Sequence, residues 1–402
     1  MTEQGANVSM KRRTLLRRFG GATTAGFLGS TAMITTVTAT AGSFTREYYG
    51  DESYLKYVPR GADGESAVPL LTMLHGCTQS PGQFAHETEM NEVAERETFI
   101  VIYPDQTVTE NATQCWNWFD HENHVRGSGE TALIANITQK TMTEHAIDPH
   151  RVYVAGFSAG AAMVPDLLAA YPDVFAAGGV HSGLEYAAAE SASGAVTAMA
   201  YGGPNPIEQG TDAYQLMDYN GVASRIPTIV FHGTDDTTID PINGHQATTQ
   251  AVQTNDLVDT TDDGNIDTDP DVVQSETADV FDYTIYEYHD RNGNTVVEKW
   301  LVDGMGHAWS GGSEGGEYTA PGGPDASQTL WEFFSSHPDS GNTGRFEGFC
   351  GTDYNYQHED ADRAIYEGGY YATGSGDYLG LSSYLTTLKE TQEGYFELVG
   401  DC

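Results

Sequence analysis

Basic residues are scarce in this sequence. Eighteen lysines and arginines stand against 58 aspartates and glutamates in 402 residues, a formal net charge of −40 at pH 7. A field of that sign repels phosphate backbones and anionic lipid, so nucleic acid and anionic membrane surfaces are excluded as partners. Neutral and insoluble substrates stay open. The excess resembles that of proteins working in concentrated salt, where self-repulsion is screened, and a halophilic source is expected. Cysteine is scarce too, with four residues, and neither C-x-x-C nor H-E-x-x-H occurs, so no metal site is expected. Long apolar runs are missing. The nearest approach, residues 20–38, is rich in threonine and alanine, so no membrane span is expected in the mature chain. What is present argues for a packed globule: 39% hydrophobic and 11% aromatic residues. The length admits one catalytic domain of roughly 250–300 residues and something smaller.

The N-terminus reads as a targeting segment. "KRRTLLR" sets Arg12 and Arg13 ahead of Leu15 and Leu16, a twin-arginine pattern, and Ala39-Thr40-Ala41 forms an A-x-A cleavage site. Residues 1–41 are therefore expected to be a cleaved signal, with a membrane span as the alternative, and the product to be secreted to the extracellular space. In an exported chain, cysteines pair before they bind metal. Of three possible connectivities, Cys77–Cys115 with Cys350–Cys402 is the simplest.

From residue 42 short apolar stretches alternate with helical ones. Strands are expected at 68–76, 98–104, 175–183 and 226–233, with helices near 84–97 and at 131–145, the latter with Leu133, Ile134, Ile137 and Met142 on one face. A hairpin at 283–302 turns at Asn292-Gly293, and a helix at about 326–336 closes the domain. The pattern implies an α/β fold, a mainly parallel sheet with helices on both faces, over 42–337. Residues 255–272 form an Asp-rich insertion that partly fits a calcium loop through Asp259, Asp263, Gly264 and Asp267. Pro270 occupies the place of the bidentate Glu, however, and a solvated loop is the preferred reading. A linker at 338–344 leads to a Tyr- and Gly-rich module at 345–402, small enough to need a disulfide staple.

"RVYVAGFSAGAAM" (151–163) reads strand, turn, helix, with Ser158 between Gly156 and Gly160 in G-x-S-x-G spacing. In a nucleophile elbow the serine backbone is strained, and side chains two residues to either side would clash. With 46 glycines in the chain a chance match is common, so the remaining members of a triad must decide. A serine nucleophile needs a base, and the base an orienting carboxylate. In α/β-hydrolases these follow in the order Ser, Asp or Glu, His. Asp236 stands three residues beyond Gly233, with Asp235 as fallback, and His307 lies in a glycine-rich loop past the last strand. Ser158, Asp236 and His307 are the candidate catalytic residues. The candidate oxyanion donors are the N–H groups of Ala159 and of Cys77, in the loop after the first core strand. His75, His181 and His232 read as supporting strand-end histidines.

The stretches "LHGCTQSPGQFA" (74–85), "CWNWFD" (115–120), "RVYVAGFSAGAAM", "GVHSG" (179–183), "FHGTDDTTIDPING" (231–244) and "GMGHAWSGGS" (304–313) together resemble the secreted polyhydroxybutyrate depolymerase family of esterases. That family also includes feruloyl and acetyl-xylan esterases. The resemblance runs from about residue 45 to 337 and implies an α/β-hydrolase fold. Phe157 and Ala161 stand where the family commonly has Leu and Gly, and neither is expected to touch the chemistry. The tail resembles a small module appended to some extracellular depolymerases. Implied is cofactor-free hydrolysis of a polyester or small ester through an acyl-enzyme. Trp116, Trp118 and Trp309 are candidates for an apolar substrate platform, with plain core packing as the alternative. A poly(3-hydroxybutyrate) depolymerase or oligomer esterase is the first reading and a feruloyl or acetyl-xylan esterase the second. A surface-binding protein on an inactive hydrolase scaffold is the third.

Overall fold

The structure, a computed structural model, describes residues 42–258, 266–338 and parts of 350–399. The signal expected over 1–41, insertion positions Asp259, Asp263 and Gly264, the linker beyond residue 338 and the Cys350–Cys402 bridge lie outside the described residues.

Ten strands of the described residues form one sheet. The chain enters through an antiparallel pair, β1 (Ser43–Tyr49) and β2 (Glu52–Val58). The parallel core follows as β3 (Val68–Leu74), β4 (Ile100–Pro104), β5 (Ile147–Phe157), β6 (Ala177–His181) and β7 (Thr228–Gly233). Last come β8 (Val272–Thr277), β9 (Asp282–His289) and β10 (Thr295–Val302). The spatial order is β1-β2-β4-β3-β5-β6-β7-β10-β9-β8, parallel from β4 to β10 and antiparallel at both ends. β9 and β10 pair as the expected hairpin, and Gly293 adopts φ +79° in its turn.

Alternation along the strands builds two cores. Val152 and Val154 of β5 face one way, with Leu70, Ile102 and Val230. Tyr153, Ala155 and Phe157 face the other, with Leu71, Val101 and Phe231. Helices α3 (Gly129–Glu144) and α4 (Ala159–Ala170) pack on the first face. On the second lie α1 (Pro81–Thr88), α2 (Met90–Glu97) and α8 (Ala326–Ser336). Between α4 and α8 the chain forms α5 (Ala192–Tyr201), α6 (Pro206–Tyr219) and α7 (Ile242–Val258), giving eight α-helices among the described residues.

Three expectations are corrected. The helix near 84–97 is two helices, broken at Glu89, whose φ of 54° is left-handed. The buried face of α3 is Thr131, Ile134, Ala135, Ile137, Thr138 and Thr141, while Leu133 and Met142 are half-buried. Its threonine hydroxyls donate to carbonyls one turn back, and that of Thr138 also accepts from Thr72, which lets polar residues line a core stripe. The Asp-rich insertion also begins later than expected. Asn255 and Asp256 are buried in the last turn of α7, where Asn255 holds the backbone of Ile226 and Asp256 accepts from the Ile266 N–H.

Candidate active site

Ser158 sits between β5 and α4, near the middle of the sheet, with φ 56° and ψ −120°. That conformation costs a non-glycine residue roughly 1–3 kcal/mol and persists where the surroundings hold it. The flanking glycines are needed for space. A Cβ on Gly156 would overlap the Gly160 carbonyl, and one on Gly160 would overlap the carbonyl of Leu74.

Asp236 follows β7 and His307 follows β10, so the parallel strands bring three distant residues to one edge of the sheet. Ser158 Oγ lies 2.9 Å from His307 Nε2, and His307 Nδ1 lies 2.7 Å from Asp236 Oδ2. With a carboxylate accepting at Nδ1, that nitrogen carries the proton, and Nε2 accepts from the serine hydroxyl. Asp236 Oδ1 accepts from the N–H groups of Thr238 and Ile239, each at 2.9 Å. Burial opposes its ionisation, but the hydrogen bonds from His307 and Ile239 outweigh burial and hold the carboxyl below its usual range. Asp235, the fallback, is exposed, and Asp236 is buried. Ser158 keeps 7% of its surface exposed, which leaves the hydroxyl reachable.

Ala159 opens α4 directly after the serine. Cys77 follows Gly76, whose added Cβ would lie 3.2 Å from Ser158 Cβ, so this loop lies against the nucleophile. Cys77 and Cys115 are joined by a disulfide. That bridge ties the loop to the 115–120 segment, where Trp116 Nε1 donates to the His75 carbonyl. Breaking it with Cys115→Ala is expected to lower turnover on a soluble ester about tenfold, because small misplacement of an oxyanion donor is costly in rate. The melting temperature should fall by only a few degrees, since His75, Thr78 and Trp116 still hold the loop. Parallel kinetics and calorimetry would contradict this if stability collapsed while turnover held.

The tryptophan platform is corrected. Trp116, Trp118 and Trp309 are only 0, 5 and 1% exposed, and a ring without accessible surface offers a substrate nothing to pack on. Trp309 instead stacks on His181 at 4.6 Å and donates to Ser327 Oγ. Phe157 does reach the chemistry, contrary to expectation, since its ring centroid lies 4.9 Å from that of His307. His181 accepts from the Ser310 N–H at 2.9 Å, fixing the segment after His307, and burial, aided by the neighbouring His232 and His307, keeps it neutral. His75 and His232 are likewise buried and bonded to backbone groups.

One buried acid escaped the sequence reading because nothing marks it in "SGLEYAA". Neither carboxylate oxygen of Glu185 has a hydrogen-bond partner, and burial pushes the group up to about 8 from 4.5. A carboxyl raised on folding adds stability that is complete below its unfolded value and is lost as pH climbs from about 4.5 to about 8. Glu185→Gln cannot ionise. The gap between its melting temperature and that of the parent should therefore widen in the variant's favour by several degrees between pH 5 and pH 8. Two parallel curves would show that the acid does not titrate in this window.

Among the described residues no cluster of His, Cys, Asp and Glu is arranged to hold a metal, and no helix is long and apolar enough to cross a membrane. A small cavity beneath α4, α6 and α7, lined by Leu168, Met217 and Ala251 among others, contains no titratable group and is separate from Ser158.

The family model for "Esterase PHB depolymerase" matches residues 52–274. Poly(3-hydroxyalkanoate) depolymerase C of Paucimonas lemoignei is 34% identical over 260 residues, 64% of this chain and 58% of that protein's length. Feruloyl esterase B of Thermothelomyces thermophilus is 31% identical over 236 residues, 56% of this chain and 78% of that protein. The acetyl xylan esterase structure from Aspergillus awamori superposes with a TM-score of 0.56 at 22% identity, covering 73% of this chain and 99% of that one, a likeness of fold. With more than half its length matched by the family model, on a scaffold shared with a solved esterase, this chain belongs to the esterase PHB depolymerase family.

Proposed function

We propose that this protein is a secreted serine esterase that hydrolyses carboxylic esters through an acyl-enzyme. Ser158 Oγ attacks the ester carbonyl while His307 Nε2 takes its proton. Asp236 orients the imidazole and stabilises it when charged. The N–H groups of Cys77 and Ala159 hold the oxyanion. His307 then protonates the departing alcohol, and water, deprotonated by His307, releases the acid and regenerates Ser158. The observation carrying this reading is the unbroken hydrogen-bond chain from Asp236 through His307 to Ser158. No step in it calls for a cofactor.

The substrate we assign first is poly(3-hydroxybutyrate) or its oligomers, supported by the similarity to a poly(3-hydroxyalkanoate) depolymerase. A feruloyl or acetyl-xylan ester is the second, supported by the larger share of the feruloyl esterase that this chain spans. We place catalysis in residues 42–337, with a twin-arginine leader at 1–41, a linker at 338–344 and a separate module at 345–402, in a protein built for high salt. Acid release from poly(3-hydroxybutyrate), methyl ferulate and acetylated xylan, compared side by side in molar salt, tests the order. Turnover of the polyester at least about tenfold above either alternative is expected, an apolar 3-hydroxyacyl preference worth roughly 1.4 kcal/mol. A preference for methyl ferulate would make the second reading the right one.

A further inference from the structure

The oxyanion loop is held by a polar network that stretches well beyond the loop itself. Gly76 N–H donates to Gln79 Oε1 at 2.8 Å, and Gln79 N–H returns to the Gly76 carbonyl at 3.3 Å. The same carbonyl accepts from His75 Nδ1 at 2.8 Å. That donor is fixed by exclusion: His75 Nε2 accepts from the Gln106 N–H, so the ring proton sits on Nδ1. Peptide planarity turns these contacts into an aiming device. In a trans peptide the C=O and N–H point in opposite directions, so whatever fixes the Gly76 carbonyl also fixes the direction of the Cys77 N–H.

The Gln79 amide has two orientations, and only one serves the loop. Gly76 N–H can only donate, so Oε1 must face it and the NH2 group must face away. It faces Glu87 Oε2 at 2.6 Å. The same carboxylate also takes Gln83 Nε2 at 3.0 Å and the Glu317 N–H at 2.9 Å on Oε1, so it meets donors on both oxygens. The Glu87 carbonyl meanwhile accepts from the Ser313 N–H. Gln79 and Glu87 are 1 and 3% exposed, so the network is dry, where a misdirected amide would leave donors unpaired. Glu87 therefore ties the oxyanion loop to the segment that follows His307.

We infer that Glu87, acting through Gln79, is a positioning residue for catalysis: it locks the amide that grips the Gly76 N–H and so holds the turn whose next peptide, kept by His75 Nδ1 and the Gln79 N–H, aims the Cys77 N–H at the developing oxyanion. The inference rests on the serine-esterase reading above. It goes beyond it in giving two residues outside the triad a share of transition-state stabilisation.

Glu87→Gln leaves one acceptor oxygen for three donors; kept on Gln83 Nε2 and the Glu317 N–H, it turns the new NH2 group against that of Gln79. Gln79 must then turn or shift, and Gly76 N–H loses its acceptor. On a soluble ester, kcat should fall at least about tenfold while KM stays within about twofold, as expected when an interaction made only in the transition state is weakened. Affinity for an alkyl boronic acid, whose adduct on Ser158 places an oxygen at the oxyanion position, should fall in step with kcat. The exchange Glu87→Gln with Gln79→Glu keeps one amide and one carboxylate: the bond between the two side chains reverses, while Gly76 N–H, Gln83 Nε2 and the Glu317 N–H each still find an acceptor oxygen. It should return kcat to within about threefold of the parent. An unchanged kcat in Glu87→Gln, a loss confined to KM, or a loss the exchange does not restore would overturn the inference. If Glu87→Gln fails to fold, Gln79→Met replaces it, with the same fall expected and an unchanged kcat equally fatal. Ser158→Ala, assayed alongside, separates the two levels. Activity surviving that change would sink the esterase reading itself, whereas its loss beside a fully active Glu87→Gln would sink only the positioning role.

Discussion

Ser158→Ala and His307→Ala are each expected to lower ester hydrolysis at least about a thousandfold, and the double variant should be little worse than either alone. The two side chains perform one step, proton transfer from the attacking oxygen, so removing either removes the step. Neither change should unfold the protein. The elbow geometry belongs to the backbone and to Gly156 and Gly160, and His307 is only partly buried. The acid gives a sharper test. Asp236 accepts three hydrogen bonds, from His307, Thr238 and Ile239. Asn at 236 can present its NH2 group to Nδ1, which favours the tautomer with the proton on Nε2 and leaves no base beside Ser158. Asp236→Asn should thus lose about the same order of activity as the serine variant. Asp235→Asn should be close to wild type, since its exposed side chain lies outside the chain of bonds. Steady-state rates on a soluble ester, with circular dichroism as the folding control, read all five. A dead Asp235→Asn beside an active Asp236→Asn would reverse the assignment of the acid.

What could be read from the sequence depended on whether neighbours in space were also neighbours in pattern. The elbow, the acid and the histidine each sit at a strand end, and strand ends are marked by apolar runs giving way to glycine and aspartate. The parallel sheet then brings Ser158, Asp236 and His307 to one edge without further information. The strand that ends at Ser158 was legible for the same reason. Burial of the tryptophans was not. "CWNWFD" looks like a surface platform, because an aromatic cluster next to a disulfide is compatible with either side of a wall. Only packing decides that Trp116 donates inward to the His75 carbonyl. Gln79 and Glu87 were invisible for another reason: two polar residues eight positions apart carry no periodic signal. Their pairing depends on where α1 places Glu87 relative to the loop before it. The β1–β2 pair at the sheet edge, and α5 and α6, also went unread, since charged residues interrupt both strands and the buried positions of the two helices are mostly small or polar.

Thermal stability should rise steeply with salt, by ten degrees or more between 0.1 and 2 M potassium chloride, and two opposing effects fix the sign. Salt screens the repulsion among 58 acidic groups that only 18 basic ones offset. The Debye length shrinks from about 10 Å at 0.1 M to about 3 Å near 1 M, below the spacing of most surface charges. Salt also weakens favourable pairs such as Arg46–Asp105, whose arginine is 45% exposed, but exposed pairs are worth only about 0–1 kcal/mol each. The Arg126–Asp173 pair, with side chains 8 and 3% exposed, is screened far less and keeps its contribution. An excess of 40 negative charges (58 − 18) outnumbers the ion pairs that could be lost, so relief of repulsion wins. Strengthened apolar burial in salt would push the same way, and pH separates the two causes. Near pH 4.5 many carboxylates carry protons, repulsion is already reduced, and the gain from potassium chloride should shrink to a fraction of its value at pH 7. Scanning calorimetry across both variables reads this directly. A melting temperature that is flat or falling with salt at pH 7, or a salt gain equally large at pH 4.5, would show that charge repulsion does not limit the stability of this fold.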